Sequence, residues 1–231
     1  MNLNDYEKHI YSQNHEDGIT MKLIEMLYDD PTNKYYVEFG VQSGVECNTR
    51  ILYENYKWKG LLMDGDNHND IINLQREFIT KENILSLFKK YKVPKNINLL
   101  SVDIDYNDFH VLEEITKEYT ADILILEYNA SIPPNQSKVV KYEPNTGWDG
   151  SRYFGASLLA FNKLLSPKGY TLVCCNANGV NTFFVKQTLL DAKNIKIANA
   201  GNVDLIYKKP AYNHYDGGHP PDTKNREFLD Y

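Results

Sequence analysis

Residues Tyr35–Gly44 read YYVEFGVQSG, and this stretch decides the fold. An apolar run carrying one acid, Glu38, passes into a turn bearing Gly40 and Gly44. Tyr35–Phe39 has the length and composition of a buried strand. Glycine accepts positive φ and has no Cβ, so the backbone of such a turn approaches a ligand closely. The first amides of the following helix point the same way. A second apolar run, Trp58–Met63, leads straight into Asp64. Strand, glycine turn, helix and a second strand ending in an acid predict an α/β sheet with a nucleoside-type ligand at its carboxyl edge.

The same alternation extends along the chain. Glu16–Leu27 reads as a helix with Ile19, Leu23, Met26 and Leu27 on one side. Helices are expected at 45–56, 70–78, 109–119, 156–165 and 183–190. Strands are expected at 99–104, 122–127, 170–175 and 203–207, and 79–83 reads as a short strand or as the end of the preceding helix. The ILIL run inside 122–127 is typical of a strand buried on both faces. The pattern predicts a Rossmann-like, doubly wound sheet in a single domain over 1–209, followed by a polar tail over 210–231 without a core-forming pattern. Residues 129–151 are rich in Pro, Asn and Gly, long for a plain connector, and read as a lid or substrate loop.

Composition narrows the partners. The chain has 231 residues, 42% of them hydrophobic, and a net charge of −6 without a long basic run, which argues against a broad nucleic-acid surface. Cys47, Cys174 and Cys175 are an odd count without a repeated spacing, so a disulfide scaffold is not expected. No apolar run has the length of a membrane span, and MNLNDYEKHIY is too polar for a secretory leader. A soluble cytoplasmic protein is the expectation. Oligomerisation is left open by the sequence.

Four acids stand at or near the ends of apolar runs: Glu38, Asp64, Asp103 and Glu127. Asp64 suits ribose hydroxyls, because a carboxylate accepts two hydrogen bonds. Glu38 suits ordering of the glycine turn or a positive cofactor group. In SVDIDYND (Ser101–Asp108), Asp103 and Asp105 share a face if the strand continues, and Asp108 reads as a helix cap. LEYN (Leu126–Asn129) adds Glu127 and Asn129 as oxygen donors. Asp103, Glu127 and Asn129 together suit a hard divalent ion such as Mg²⁺, Mn²⁺ or Ca²⁺. The dinucleotide fingerprint G-x-G-x-x-G is not present; the turn is G-V-Q-S-G.

The chain resembles class I S-adenosylmethionine-dependent methyltransferases, and more narrowly the FkbM-like and sugar O-methyltransferase group. The matching pieces are YVEFGVQSG at 36–44, GLLMDGD at 60–66, ENI at 82–84 and LLSVDIDYND at 99–108. YSQNHEDG at 11–18 resembles an N-terminal element of that group. The resemblance implies that Glu38, Gly40, Gly44 and Asp103 surround the methionine and ribose parts of S-adenosylmethionine. Asp64 would hold the ribose, Asn83 would meet adenine and Ile84 would pack on its ring. Gln13 and Asp17 would close over the site. Related sugar O-methyltransferases often use a divalent ion whose last ligands are commonly an aspartate pair, a pattern from which LEYN departs.

The expected reaction is O-methylation of a sugar, glycan or glycosylated small molecule. Asp105 is the expected general base, with His110 and His15 as alternatives. Tyr142, Asn145, Trp148, Asp149, Arg152 and Tyr153 are expected to present a sugar-stacking, hydroxyl-binding face. N-methylation, a non-catalytic methyltransferase-like scaffold and a nicotinamide oxidoreductase are the competing readings.

Overall fold

A computed structural model of the chain describes residues 1–213, 215 and 217–231. Its centre is a seven-stranded sheet. The strands are β1 (Tyr35–Phe39), β2 (Lys59–Asp64), β3 (Leu74–Arg76), β4 (Asn96–Val102), β5 (Thr120–Glu127), β7 (Tyr170–Cys175) and β8 (Asn181–Lys186), in the order β3-β2-β1-β4-β5-β8-β7. A two-stranded ribbon pairs β6 (Lys138–Val139) with β9 (Leu229–Asp230). Neighbours from β3 to β5 are parallel, while β8 runs antiparallel to both β5 and β7. The order reverses between β1 and β4, so a crevice opens beyond their carboxyl ends. The doubly wound expectation holds.

Helices cover both faces because the strands are apolar on both. Leu100, Val102, Leu124 and Leu126 face a core with α3 (Ile84–Lys90), α4 (Asp108–Ile115) and α5 (Leu158–Leu165). Leu99, Ile123 and Ile125 face the opposite core with α1 (Glu16–Leu27), α2 (Arg50–Tyr56) and α6 (Gln187–Ala192). The two-residue side-chain period of a strand produces this division. In α1, Ile19, Leu23 and Leu27 recur every four residues and are all buried, while Glu16 and Asp17 occupy the first turn, where acids suit the helix dipole.

Three expectations are corrected. The helix read over 70–78 is a short 3₁₀ turn at Asp70–Ile72 followed by β3. The helix read over 183–190 is β8 and then α6, with Phe183, Phe184 and Val185 all buried in the sheet. The closing strand read over 203–207 is a one-turn helix, α7 (Val203–Ile206), started by the Asn202 side chain accepting from Leu205 N. In addition, 79–83 forms no strand, and α3 follows it.

Residues beyond 210 pack against the long loop. β9 pairs with β6, the Phe228 ring lies 4.8 Å from that of Tyr153, and Tyr231 sits 4.6 Å from Phe109. Arg226 bridges Asp222 and Asp149 at 2.8 Å each.

The N-terminal segment docks through a close backbone approach. A Cβ on Gly18 would lie 1.8 Å from the carbonyl oxygen of Tyr6 and 2.8 Å from Lys8 N. Both atoms are backbone, so Gly18→Ala forces the segment off α1. The expected outcome is a loss of about 2 kcal/mol or more in stability, with faster amide exchange over residues 6–15. An unchanged melting temperature would contradict this packing.

Candidate active site

The glycine turn alternates left-handed residues: Gly40 at φ +68, Gln42 at +49 and Gly44 at +77. At Gly40 a Cβ would fall 1.7 Å from the carbonyl oxygen of Asp103, so β1 and β4 touch there only because position 40 has no side chain. Gln42 takes the same handedness at a steric cost, and its amide donates to Asp64 Oδ2 at 2.8 Å. The alternating spacing was the available signal for Gln42, which sequence reasoning passed over.

Glu38 organises the segment between the turn and α2. It accepts from Asn48 N (2.9 Å), Thr49 N (2.9 Å), Thr49 Oγ1 (2.6 Å) and Ser101 Oγ (3.2 Å). The amides expected to face a ligand at the start of α2 are therefore held by this side chain. Burial pushes its carboxyl up, against the downward pull of those hydrogen bonds. Asp64 accepts from the backbone of Gln42, Asp66 and Asn67 and still reaches the cleft wall.

One cleft of ≈ 630 Å³ joins the glycine turn to the acids. Glu38, Gly40 and Asp64 line it from one side, and Asp103, Asp105 and Glu127 from the other. Each of the last three offers an oxygen within 4.8 Å of the others. Asp105 is the exposed member, held at φ +64, and the other two are half-buried at the cleft floor. Burial first, then repulsion from Asp105 and Asp108, pushes Asp103 well up. Burial and then repulsion from Asp103 does the same to Glu127. Asp105 is raised by burial and by Asp64. No Lys, Arg or His lines this cleft among the described residues.

A second cavity of ≈ 170 Å³ adjoins at Gly40, Asp64 and Asp105. Phe78, Ile79 and Ile104 make it apolar, and Thr146 and Gly147 of the long loop reach it. Asn107, another wall residue, binds that loop through Glu143 O at 2.9 Å.

Other expected site residues lie elsewhere. Asn83 donates to Phe78 O and accepts from Thr80 N, bracing the turn before α3, and Ile84 is fully buried in the core. Neither lines the cleft or the apolar cavity; Phe78 and Ile79, a few residues earlier, line the latter. Asn129 is buried, donating to Arg152 O and Phe154 O and accepting from Ser131 N, so Asp105 stands where a third ligand was expected. Asp17 accepts from the amides of Ile10, Tyr11 and Ser12 and shapes the N-terminal segment. That shaping brings Gln13 to the cleft mouth, where it donates to Glu46 at 3.3 Å.

His110 pairs its Nε2 with Val140 O at 2.8 Å, outside the cleft. His15 lies in the left-handed region at φ +69, its ring 5.8 Å from that of His9. The loop residues expected to bind sugar brace the loop and tail instead. Tyr142 bonds Glu82, Trp148 stacks edge-on with His219, Asp149 pairs with Arg226, Arg152 donates to His219 O and Tyr153 is buried. Asn145 does not line the cleft. Asn181, missed in the sequence, does line it; before TFFV it reads as an ordinary turn residue.

No protein-family model matches the chain, and no curated protein does. Solved structures do. The chain is similar to the CMeT domain of the citrinin polyketide synthase at 13% identity and a TM-score of 0.41, over 75% of this chain and 51% of that one. It is similar to a candidate S-adenosylmethionine-dependent methyltransferase from Listeria monocytogenes at 12% identity and 0.41, over 72% of this chain and 97% of that one. A SAM-dependent methyltransferase from Aquifex aeolicus is similar at 10% and 0.36, over 72% and 88%. The chain thus spans about half the length of the first of these. The strand order itself defines a Rossmann-like, doubly wound sheet with β8 as its antiparallel strand. Fold and chemistry both rest on the chain's own strands and residues.

Asp108 gives the site a pH signature. It is fully buried, accepts from Ile104 N at 2.7 Å, and burial pushes it up to about 7. Between its unfolded value and about 7 the native state holds a proton that the unfolded chain has released, so stability falls as pH rises through that window. Glu16, Glu38, Asp103, Asp105 and Glu127 act in the same direction. Asp108→Asn isolates one contribution: from about pH 5 to about pH 8 the variant should lose less stability than the wild type. Equal losses of unfolding free energy for the two proteins, from denaturant titrations at the two pH values, would contradict it.

Proposed function

We propose that the protein is an S-adenosylmethionine-dependent O-methyltransferase acting on a hydroxyl of a sugar, glycan or glycosylated small molecule, assisted by a divalent ion. One observation carries this reading: a single cleft is lined by the glycine turn and Asp64 on one side and by Asp103, Asp105 and Glu127 on the other. The apolar cavity beside Asp64 suits adenine, with Phe78 and Ile79 as its wall. Asp64 then stands between the two cavities, where a ribose would lie. A sulfonium and an α-ammonium are cations, and they match a cleft wall of carboxylates. A pyrophosphate does not match it, which disfavours the nicotinamide alternative.

The donor set fits a hard ion: three carboxylates in mutual reach, all raised by burial or by each other. Asp103 and Glu127, at the floor, would hold it, and a bound divalent ion lowers the pKa of a coordinated hydroxyl. Asp105 is the general base. It is the accessible member, and its raised pKa brings it toward the range where a carboxylate takes a hydroxyl proton effectively near neutrality. The left-handed backbone at 105 fixes where that carboxylate stands. Alignment of acceptor oxygen and methyl carbon supplies much of the remaining acceleration.

Titration calorimetry with S-adenosylhomocysteine should show one site per chain. Asp105→Asn should retain that affinity within roughly threefold while turnover falls about 100-fold or more. Unchanged turnover removes Asp105 as base. Full activity after exhaustive chelation removes the ion.

A further inference from the structure

Seven buried side-chain atoms of the described residues find no hydrogen-bond partner, and among them Asn181 Oδ1 is the one whose residue lines the main cleft. Asn181 is 3% exposed and opens β8, directly opposite Glu127 in the antiparallel register with β5. Its amide has one orientation available. Asn181 Nδ2 donates to Glu16 Oε1 at 2.8 Å. Glu16 is itself fixed by Asn14 N at 2.8 Å and Asn176 Nδ2 at 3.0 Å. The Asn181 backbone amide is held by Asn176 Oδ1 at 2.9 Å. A flipped amide would set its oxygen against the carboxylate, so Oδ1 is turned away from Glu16 and left without a donor. Buried amide oxygens are almost always satisfied, and one without a donor, on a residue that lines a cleft, calls for a donor from outside the chain.

We infer that Asn181, aimed by Glu16, accepts a hydrogen bond from a hydroxyl or ammonium of the methyl acceptor, and that the acceptor class is neutral or cationic polyols rather than phosphorylated ones. This deepens the proposed methyl transfer and rests on it. The charge of the cleft agrees. Its wall carries acids from β1, β2, β5 and the segment just after β4, and no Lys, Arg or His among the described residues, so a phosphate on the acceptor meets repulsion with no counter-charge. Donor groups meet carboxylate and amide oxygens instead. Glu16 is a positioning residue: it touches Asn181 and is not itself on the cleft wall.

The experiment uses the full chain loaded with S-adenosylhomocysteine and three probes: glucose, glucosamine and glucose 6-phosphate. Calorimetry with S-adenosylhomocysteine alone comes first, and failure to bind it sinks the methyltransferase reading together with this inference. With that binding in place, saturation-transfer titration should rank glucosamine and glucose at least about tenfold above glucose 6-phosphate. Asn181→Ala should weaken glucosamine about tenfold while holding S-adenosylhomocysteine within about twofold. Glu16→Gln, which keeps the shape of the pair, should weaken glucosamine in the same direction, and it decides the case if Asn181→Ala does not fold. Three results overturn the inference and leave methyl transfer standing: preference for the phosphorylated probe, no binding of either unphosphorylated probe, or folded variants that bind glucosamine like the wild type.

Discussion

Repulsion among acids crowded where β1, β4 and β5 end is the constraint on which the rest of the structure depends. Glu38, Asp103, Asp105, Asp108 and Glu127 share that edge, and the upward shifts of Asp103 and Glu127 arise partly from their neighbours. Burying several carboxylates together is costly unless each is hydrogen-bonded, protonated or matched by a cation. The fold uses the first two. Glu38 is wrapped by two amides and two hydroxyls. Asp108 rises to about 7 and can stay protonated near neutrality. Asp103, Asp105 and Glu127 are neither wrapped nor fully enclosed, and they face the cleft. The acids the chain does not neutralise itself are the ones open to a ligand.

Much of the frame was legible because its signals are local. Helix Glu16–Leu27 and strands Tyr35–Phe39 and Tyr170–Cys175 have the bounds read from periodicity. β3 was hidden because three residues cannot display a period, and β3 exists through its pairing with β2. β8 was hidden for another reason. NTFFVK is buried on both faces, so no polar alternation marks it, and the neighbouring TLL favours helix. Its strand state is imposed by β5 and β7 on either side.

The site was legible where residue type and strand end coincide, and obscure where partners come from afar. Glu38, Asp64, Asp103, Asp105 and Glu127 all reach the cleft because parallel strands deliver their carboxyl ends to one edge. Asn129 has the chemistry of a ligand, but its amide is held by Arg152 and Phe154, more than twenty residues downstream. Trp148, Asp149 and Tyr153 look like a sugar platform in isolation. Their partners are His219, Arg226 and Phe228 in a segment that carries no apolar period.

The two ends of the chain bear on opposite parts of the edge. The N-terminal segment, drawn in by Asp17 and by the close approach at Gly18, sets Glu16 against β8 and Gln13 at the cleft mouth. The C-terminal segment braces the loop whose Thr146 and Gly147 reach the apolar cavity. Neither end adds a strand to the main sheet. The sheet alone would leave its acids at an open rim, where water screens them and their pKa values stay ordinary. Gln13 and Asn14 line the cleft beside Asp103, Asp105 and Glu127, and Thr146 and Gly147 line the apolar cavity beside Asp105. The lining of this edge is therefore drawn from the N-terminal segment and the long loop, which carry little periodic signal, as well as from the strands that announce the fold.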